Sequence, residues 1–317
     1  MYRAFADFIH SRGRCMTIAY LLGGQIPLEE KFVTDFCVRF PAVREVFEQA
    51  ADRTGLDVSE LIAGTFDGEG ELVQSFGAVR QAALIIGMHD VLADRGIRPD
   101  AIGGLSLGGL VSACLAGGVD RPGLFEMLHY QRLIPEVPAD TPPQGMAVAA
   151  LATGDEIEKY IGPARPGIYL AADYDVVPGG DKRVLVLSGY RAELTALAAE
   201  QPRRIRMLEE YVGAFHSPLV QHVADFMAEH VSAMTFYDPK ITLCSPHQSG
   251  VIRTADEVRE FFLTNYLNPV GVRFLLDEVN RFGAESAIGL GPGMPQRLVA
   301  EPLILTSVLT ADDLANY

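Results

Sequence analysis

Between residues 75 and 116 the chain passes through a long apolar helical stretch, SFGAVRQAALIIGMHDVLADRG (75–96), and a short strand within IRPDAIGGLS. It then enters LGGLVSACLAGG, which is small, apolar and helical in character. At the junction of strand and helix stands Ser106, in Gly104-Leu105-Ser106-Leu107-Gly108. A strand that turns sharply into a helix at Gly-x-Ser-x-Gly is the context a nucleophile elbow requires, and it calls for an α/β sheet. The five-residue pattern also arises by chance. Its meaning depends on whether the chain supplies a base, a group to orient that base, and donors for an oxyanion.

The flanking sequence supports a large α/β unit. TIAYLLGG (17–24) reads as a buried strand entering a loop, and PAVREVFEQAADRTG (41–55) as a helix ending at a glycine. Further on the pattern changes. GMAVAALA (145–152), GIYLAADYDV (167–176), KRVLVLSG (182–189) and RIRMLEEY (204–211) read as strands, with helices expected over 155–162 and 190–201. This β-α-β-β-α-β order predicts a ferredoxin-like module. Strand and helix patterns resume on both sides of it, so it reads as an insertion. The expected organisation is an α/β-hydrolase-like large subdomain, residues 1–142 and 209–317, with a ferredoxin-like small subdomain, residues 143–208.

Composition narrows the partners. At 317 residues and 49% hydrophobic the chain can bury a sizeable core. No apolar run approaches the roughly 20 residues needed to span a bilayer, so no membrane role is expected. The opening MYRAFADFIHSRGRCM lacks a long apolar segment and reads as a short amphipathic helix. Cys15, Cys37, Cys114 and Cys244 are scattered, which suits reduced core thiols in a cytoplasmic protein and offers no metal-ligand spacing. A net charge of −15 disfavours nucleic acid. Arg203, Arg204 and Arg206 cluster in QPRRIR, and Arg297 follows a glycine-rich turn. These are either solvated surface or a docking patch for an acidic partner.

Of the seven histidines, His10, His89, His129, His222, His230 and His247 have helix-surface or loop contexts. His216 differs, because VGAFHSPLV places it just after the last strand of the insertion and beside Pro218. It is the candidate base.

LLGGQIP, GGLSLGGL, GAFHSPL, LNPVGVRF and GLGPGM occur in the order of five landmarks of the malonyl-CoA:acyl-carrier-protein transacylase family. They resemble its PGQG, GHSLG, [HY]A[FS]HSP, NPV and VGPG segments, and the resemblance covers nearly the whole chain. The 110 positions from Ser106 to His216 are close to the family interval. The resemblance implies that Ser106 takes the acyl group as an ester and that His216 is general base, then acid. It also implies that a backbone carbonyl at Asn265 orients the histidine, and that the N–H groups of Gln25 and Leu107 form the oxyanion hole.

The departures from the family bear on the substrate. Dicarboxylic-acyl members carry an arginine about 25 residues after the serine, but here that position is Gln131, with Arg132 its neighbour. One helical step turns Arg132 off that face, and only a one-residue shift would restore the clamp. Leu105 replaces the usual histidine before the serine and Gly109 a frequent glutamate, so the pocket mouth is expected to be less polar. Gly213 replaces a larger residue beside Phe215, opening space near the acyl chain. Asp173 and Asp175 stand where relatives have asparagines. They are either ordinary loop acids or carboxylates facing a substrate ammonium.

The expected function is a discrete, trans-acting acyltransferase of polyketide or antibiotic biosynthesis. It would move a monocarboxylic, aminoacyl or peptidyl unit between phosphopantetheine thioesters on acyl carrier proteins or coenzyme A. No bound cofactor is expected. Malonyl transfer and editing hydrolysis of acyl carrier proteins stay open, since the same Ser-His pair serves all three. A plain esterase would want an acid between Ser106 and His216 and would leave the NPV and GPG landmarks unexplained. A non-catalytic carrier-binding scaffold fits poorly with retained Ser106, His216 and Gln25.

Overall fold

The computed structural model describes residues 17–66, 71–135, 140–176, 180–209, 211–294 and 303–317. Expectations for the N-terminal helix, His10, Cys15 and Arg297 lie outside them.

Two sheets organise the chain. The first begins with β1 (Ile18–Leu22), whose five residues are all buried, as a central parallel strand must be when both faces are covered. It lies between β2 (Ala101–Gly104) and β10 (Ser286–Leu290), with β11 (Ile304–Val308) outside β10. On the other side follow β7 (Thr242–Cys244) and the antiparallel edge strand β8 (Val251–Ile252). Alternation along β1 sends Ile18, Tyr20 and Leu22 into one core and Ala19 and Leu21 into another. The first core includes the helices α2 (Pro41–Thr54), α4 (Glu71–Asp94) and α5 (Leu107–Leu115). The second is covered by α10 (Val272–Phe282), through Val272, Leu275 and Val279.

The second sheet contains β3 (Gln144–Ala152), β4 (Ile168–Val176), β5 (Lys182–Tyr190) and β6 (Ile205–Leu208) in the spatial order β6-β3-β5-β4. This is the antiparallel ferredoxin-like order. Its second helix, α7 (Arg191–Glu200), packs Leu194 and Leu197 on Ala147, Ala149, Leu185, Leu187 and Ile205. The helix expected over 155–162 is instead two short 3-10 turns, Ile157–Lys159 and Gly162–Ala164. Gly154 on one side and Gly162-Pro163 on the other leave too short a run to propagate an α-helix.

A fifth strand joins this sheet from far along the chain. β9 (Val270–Gly271) pairs in parallel with Ala172 and Asp173 of β4. It follows α9 (Ala255–Thr264), whose start is fixed by a capping box between Thr254 and Glu257. Among the described residues no helix is long and apolar enough to cross a membrane, and no cluster of His, Cys, Asp and Glu could hold a metal ion.

Candidate active site

The two motif glycines make the elbow. A Cβ on Gly104 would overlap the carbonyl group of Gly108, and one on Gly108 would overlap the backbone oxygens of Leu22 and Gly23. Only bare backbone lets β2, the turn and the loop after β1 approach this closely. Between them Ser106 is held at φ 52°, ψ −118°, a conformation L-residues rarely adopt, at the N-terminus of α5. Such strain persists where the surroundings over-determine it.

His216, also at positive φ (59°), is gripped twice by the stretch after α9. Its N–H donates to the Tyr266 carbonyl at 2.7 Å, and its Nδ1 lies 2.9 Å from the Asn268 carbonyl. A carbonyl only accepts, so Nδ1 carries the proton and Nε2 is left to accept from Ser106 Oγ, 2.9 Å away. The Asn268 carbonyl, within the Asn-Pro-Val motif itself, therefore orients the ring, and the Asn265 carbonyl expected from the sequence is a second backbone acceptor against it. Proline's fixed φ and missing N–H keep the chain extended here and aim the Asn268 oxygen at the ring. Burial lowers the His216 pKa to about 4, against a raising effect from the Asn268 carbonyl. The imidazole is neutral near pH 7, as a base must be.

The loop carrying Gln25 is fixed by groups that sequence reasoning missed. Gln81, fully buried on α4, donates to the Gly24 carbonyl and accepts from the Ile26 N–H, both at 2.9 Å. Tyr211 Oη donates to the Gln25 carbonyl at 2.8 Å, and Gln25 Nε2 to the Gln74 carbonyl at 2.8 Å. Gln144, at the start of β3, accepts from Ala214 N–H and donates to the Leu219 carbonyl, bracing the segment that carries His216. Buried glutamines on an apolar helix face or at a strand end are the only sequence signal these residues give.

Ser106 and His216 open into a cavity of about 180 Å³ between the sheets. The carboxyl ends of β1 and β2 contribute Gly24, Gln25, Leu105 and Leu107, while Leu128, Gln131 and Ile134 close one side. The second sheet contributes Met146, Ala172, Tyr174, Val186 and Leu208. No described lining residue is Asp, Glu, Lys or Arg. Gln131 sits in a 3-10 turn and donates to Tyr266 Oη at 2.8 Å. Arg132 turns away and donates to the His129 carbonyl at 3.0 Å, so no one-residue shift restores a clamp.

Other expected contacts are not formed. A β-bulge in β4 between Leu170 and Ala172 reverses which residues face the cavity. Ala172 and Tyr174 line it, whereas Asp173 is on the opposite face, paired with Arg183, and Asp175 bonds locally to the Val176 N–H. Neither acid meets a substrate in the cavity. Gly213 does not line it either. A Cβ there would overlap the Phe215 ring, so its small size serves to seat Phe215, which does line it. Gly109 likewise faces the Phe261 ring and not the pocket mouth. Of the arginines, Arg204 pairs with Asp155 at 2.9 Å, while Arg203 and Arg206 are exposed.

Comparison with known proteins places this geometry. The chain is 28% identical over 251 residues to the 5-methyl-1-naphthoate synthase of Streptomyces sahachiroi, covering 74% of this chain and 13% of that protein. A polyketide synthase of Streptomyces halstedii is 26% identical over 88% of this chain and 5% of its own length. The chain thus spans only a small part of these multidomain relatives. The malonyl CoA-acyl carrier protein transacylase of Bacillus subtilis is 25% identical over 287 residues, 87% of each chain. Among solved structures, the malonyl-CoA:ACP transacylase of Synechocystis superposes with a TM-score of 0.80 at 21% identity, over 95% of this chain and 100% of that one. A type II polyketide synthase malonyl-transacylase in complex with its acyl-carrier protein gives 0.80 at 19% identity, over 94% and 98%. No protein-family model matches the chain. The fold anticipated from the five motifs is borne out.

Proposed function

We propose that this chain, which has the fold of the malonyl-CoA:acyl-carrier-protein transacylases and a recognisable sequence similarity to them, is an acyltransferase that carries an uncharged monocarboxylic acyl group on Ser106. The observation that carries the reading is a Ser-His pair at 2.9 Å opening into a cavity with no charged residue among its described lining.

The chemistry follows from the geometry. His216 Nε2 takes the Ser106 proton as Oγ attacks the thioester carbonyl. The C–S bond then breaks, and the imidazolium returns the proton to the departing thiolate. A second thiol reverses these steps and leaves with the acyl group. The N–H groups of Leu107, at the first turn of α5, and Gln25, on the facing loop, are the oxyanion donors in this reading. A helix N-terminus favours the developing charge, and losing one such donor typically costs roughly 3 kcal/mol of barrier.

The substrate argument is electrostatic. A malonyl carboxylate buried here would have no arginine to pair with among the described lining residues, and an unpaired buried charge is destabilised by about 3–5 kcal/mol. A free ammonium would fare no better, because Asp173 and Asp175 face away. Aminoacyl or peptidyl units fit if the nitrogen is acylated or lies outside the cavity. Donor and acceptor would be phosphopantetheine thioesters, on acyl carrier proteins or coenzyme A. Arg206 supports a carrier contact: it shares a face of β6 with Leu208, one side-chain repeat from the cavity. Arg203 extends that exposed positive surface, and Arg297 is a further candidate from sequence.

Intact-mass measurement after exposure to malonyl, acetyl, butanoyl and N-acylaminoacyl pantetheine thioesters tests the reading, with Ser106→Ala as control. Neutral acyl groups should label the serine and pass to a second carrier. Labelling by malonyl alone would overturn the substrate class. Acyl release that is unaffected by a second carrier would point to hydrolysis instead.

A further inference from the structure

Asn265 is 4% exposed, lines the cavity beside His216, and has a buried Oδ1 with no hydrogen-bond partner among the described residues. Its place just after α9 does not explain it, because the side chain caps nothing. The polar groups around it are engaged: Gln131 with Tyr266, Gln25 with Gln74, and His216 with Asn268 and Ser106. A buried polar group left unpaired is costly, and one that faces a ligand site is satisfied by the ligand.

We infer that the Asn265 carboxamide is a specificity contact for an uncharged hydrogen-bonding group, an amide or a hydroxyl, carried on the acyl chain near its thioester carbonyl. This rests on the reading of Ser106 as the acyl carrier. Proximity to the thioester follows because the Asn265 backbone carbonyl also lies against the His216 imidazole, which contacts Ser106. The chemistry follows from what the cavity lacks. A carboxylate or ammonium would find no counter-ion among the described lining residues, and a plain hydrocarbon chain would leave Asn265 Oδ1 unpaired. A carboxamide offers both a donor and an acceptor, so it suits either arm.

The test uses pantetheine thioesters of matched length: a plain alkanoyl chain, its hydroxy analogue, an N-acetylaminoacyl analogue, and the corresponding carboxylate and ammonium chains. Single-turnover labelling of Ser106 is followed by intact mass in the wild type and in Asn265→Leu. The hydroxyl or amide chain should label the wild type roughly tenfold to a hundredfold faster than the plain chain. Asn265→Leu should bring that ratio close to one. Preference for one polar chain over the other identifies the group. Equal wild-type labelling by polar and plain chains overturns the inference, as does an equal loss across all chains in Asn265→Leu, which would mark a purely structural role. If Asn265→Leu does not fold, Asn265→Ala replaces it, and the wild-type ratios decide on their own. Failure of every thioester to label Ser106 would bring down the acyl-enzyme reading itself. Labelling without a polar preference brings down only this inference.

Discussion

The two sides of the cavity are built on opposite principles. The side formed by the first sheet is strained and crowded: Ser106 and His216 both sit at positive φ, and Gly104 and Gly108 touch backbone on every side. The side formed by the second sheet is an apolar surface of Met146, Ala172, Tyr174, Val186 and Leu208, and its own positive-φ residue, Asp175, bonds locally instead of lining the cavity. Reaction chemistry tolerates only small displacements of the reacting atoms, so the first wall is over-determined by close contacts. Acyl selection needs only shape and polarity, so the second wall can vary by side chain while its backbone stays the same.

Gly104→Ala strikes the rigid wall and should have the largest effect. Its Cβ meets backbone that cannot rotate aside, so acylation of Ser106 should fall by ~100-fold or more, with a lowered melting temperature. A variant that folds and acylates normally would break the contrast.

Protonating the base comes next. With the His216 pKa near 4, single-turnover acylation should stay level from pH 8 to about 5 and then fall about tenfold per unit below pH 4. An acid limb near 6.5 would show that the imidazole is not desolvated. Stability has a defined sign here. The folded state leaves this histidine neutral while the unfolded chain protonates it near 6.5, so stability is lost as pH falls from about 6.5 to 4. The contribution of this group is on the order of 3 kcal/mol, read from denaturant midpoints of wild type against His216→Ala.

Gln131→Arg probes the boundary between the walls. It places a guanidinium on the cavity where Gln131 now meets Tyr266, and should raise malonyl labelling relative to butanoyl about tenfold or more. An unchanged ratio would show that position 131 does not meet the acyl carboxylate. Asp173→Asn should do least. The acid faces away and pairs with a partly exposed Arg183, so acyl preference should stay within about twofold and stability within about 1 kcal/mol. A larger change of preference would return Asp173 to the cavity.

The same contrast explains what could be read in advance. Over-determined features write themselves into local sequence: the Gly-x-Ser-x-Gly turn, the Phe-His-Ser-Pro segment and the Asn-Pro-Val stretch each need particular residues at fixed spacing. The pairing of Ser106 with His216 was legible for that reason, while the oxyanion roles of Leu107 and Gln25 rest on the resemblance. The Asn268 carbonyl, which joins that of Asn265 at the imidazole, had no such signal, because carbonyl direction depends on φ and ψ, which no side-chain pattern specifies. The side taken by Asp173 and Asp175 stayed open in the sequence because one extra residue, Ala171, flips the alternation of a strand. Gln81, Gln144 and Tyr211 act across long sequence separations and carry no local signature.

The short pairing of β9 with β4 has a mechanical consequence. Val270 and Gly271 pair with β4 of the second sheet, while Asn268, two residues before Val270, holds the imidazole. The second sheet and the general base are thus geared to one another through a tether of two residues. An acyl chain too bulky for the apolar wall, in levering that sheet outward, would also drag the Asn268 carbonyl off Nδ1. Under the proposed function, poor fit would then be penalised in the proton transfer as well as in binding, and discrimination would appear in turnover where a rigid pocket discriminates through affinity.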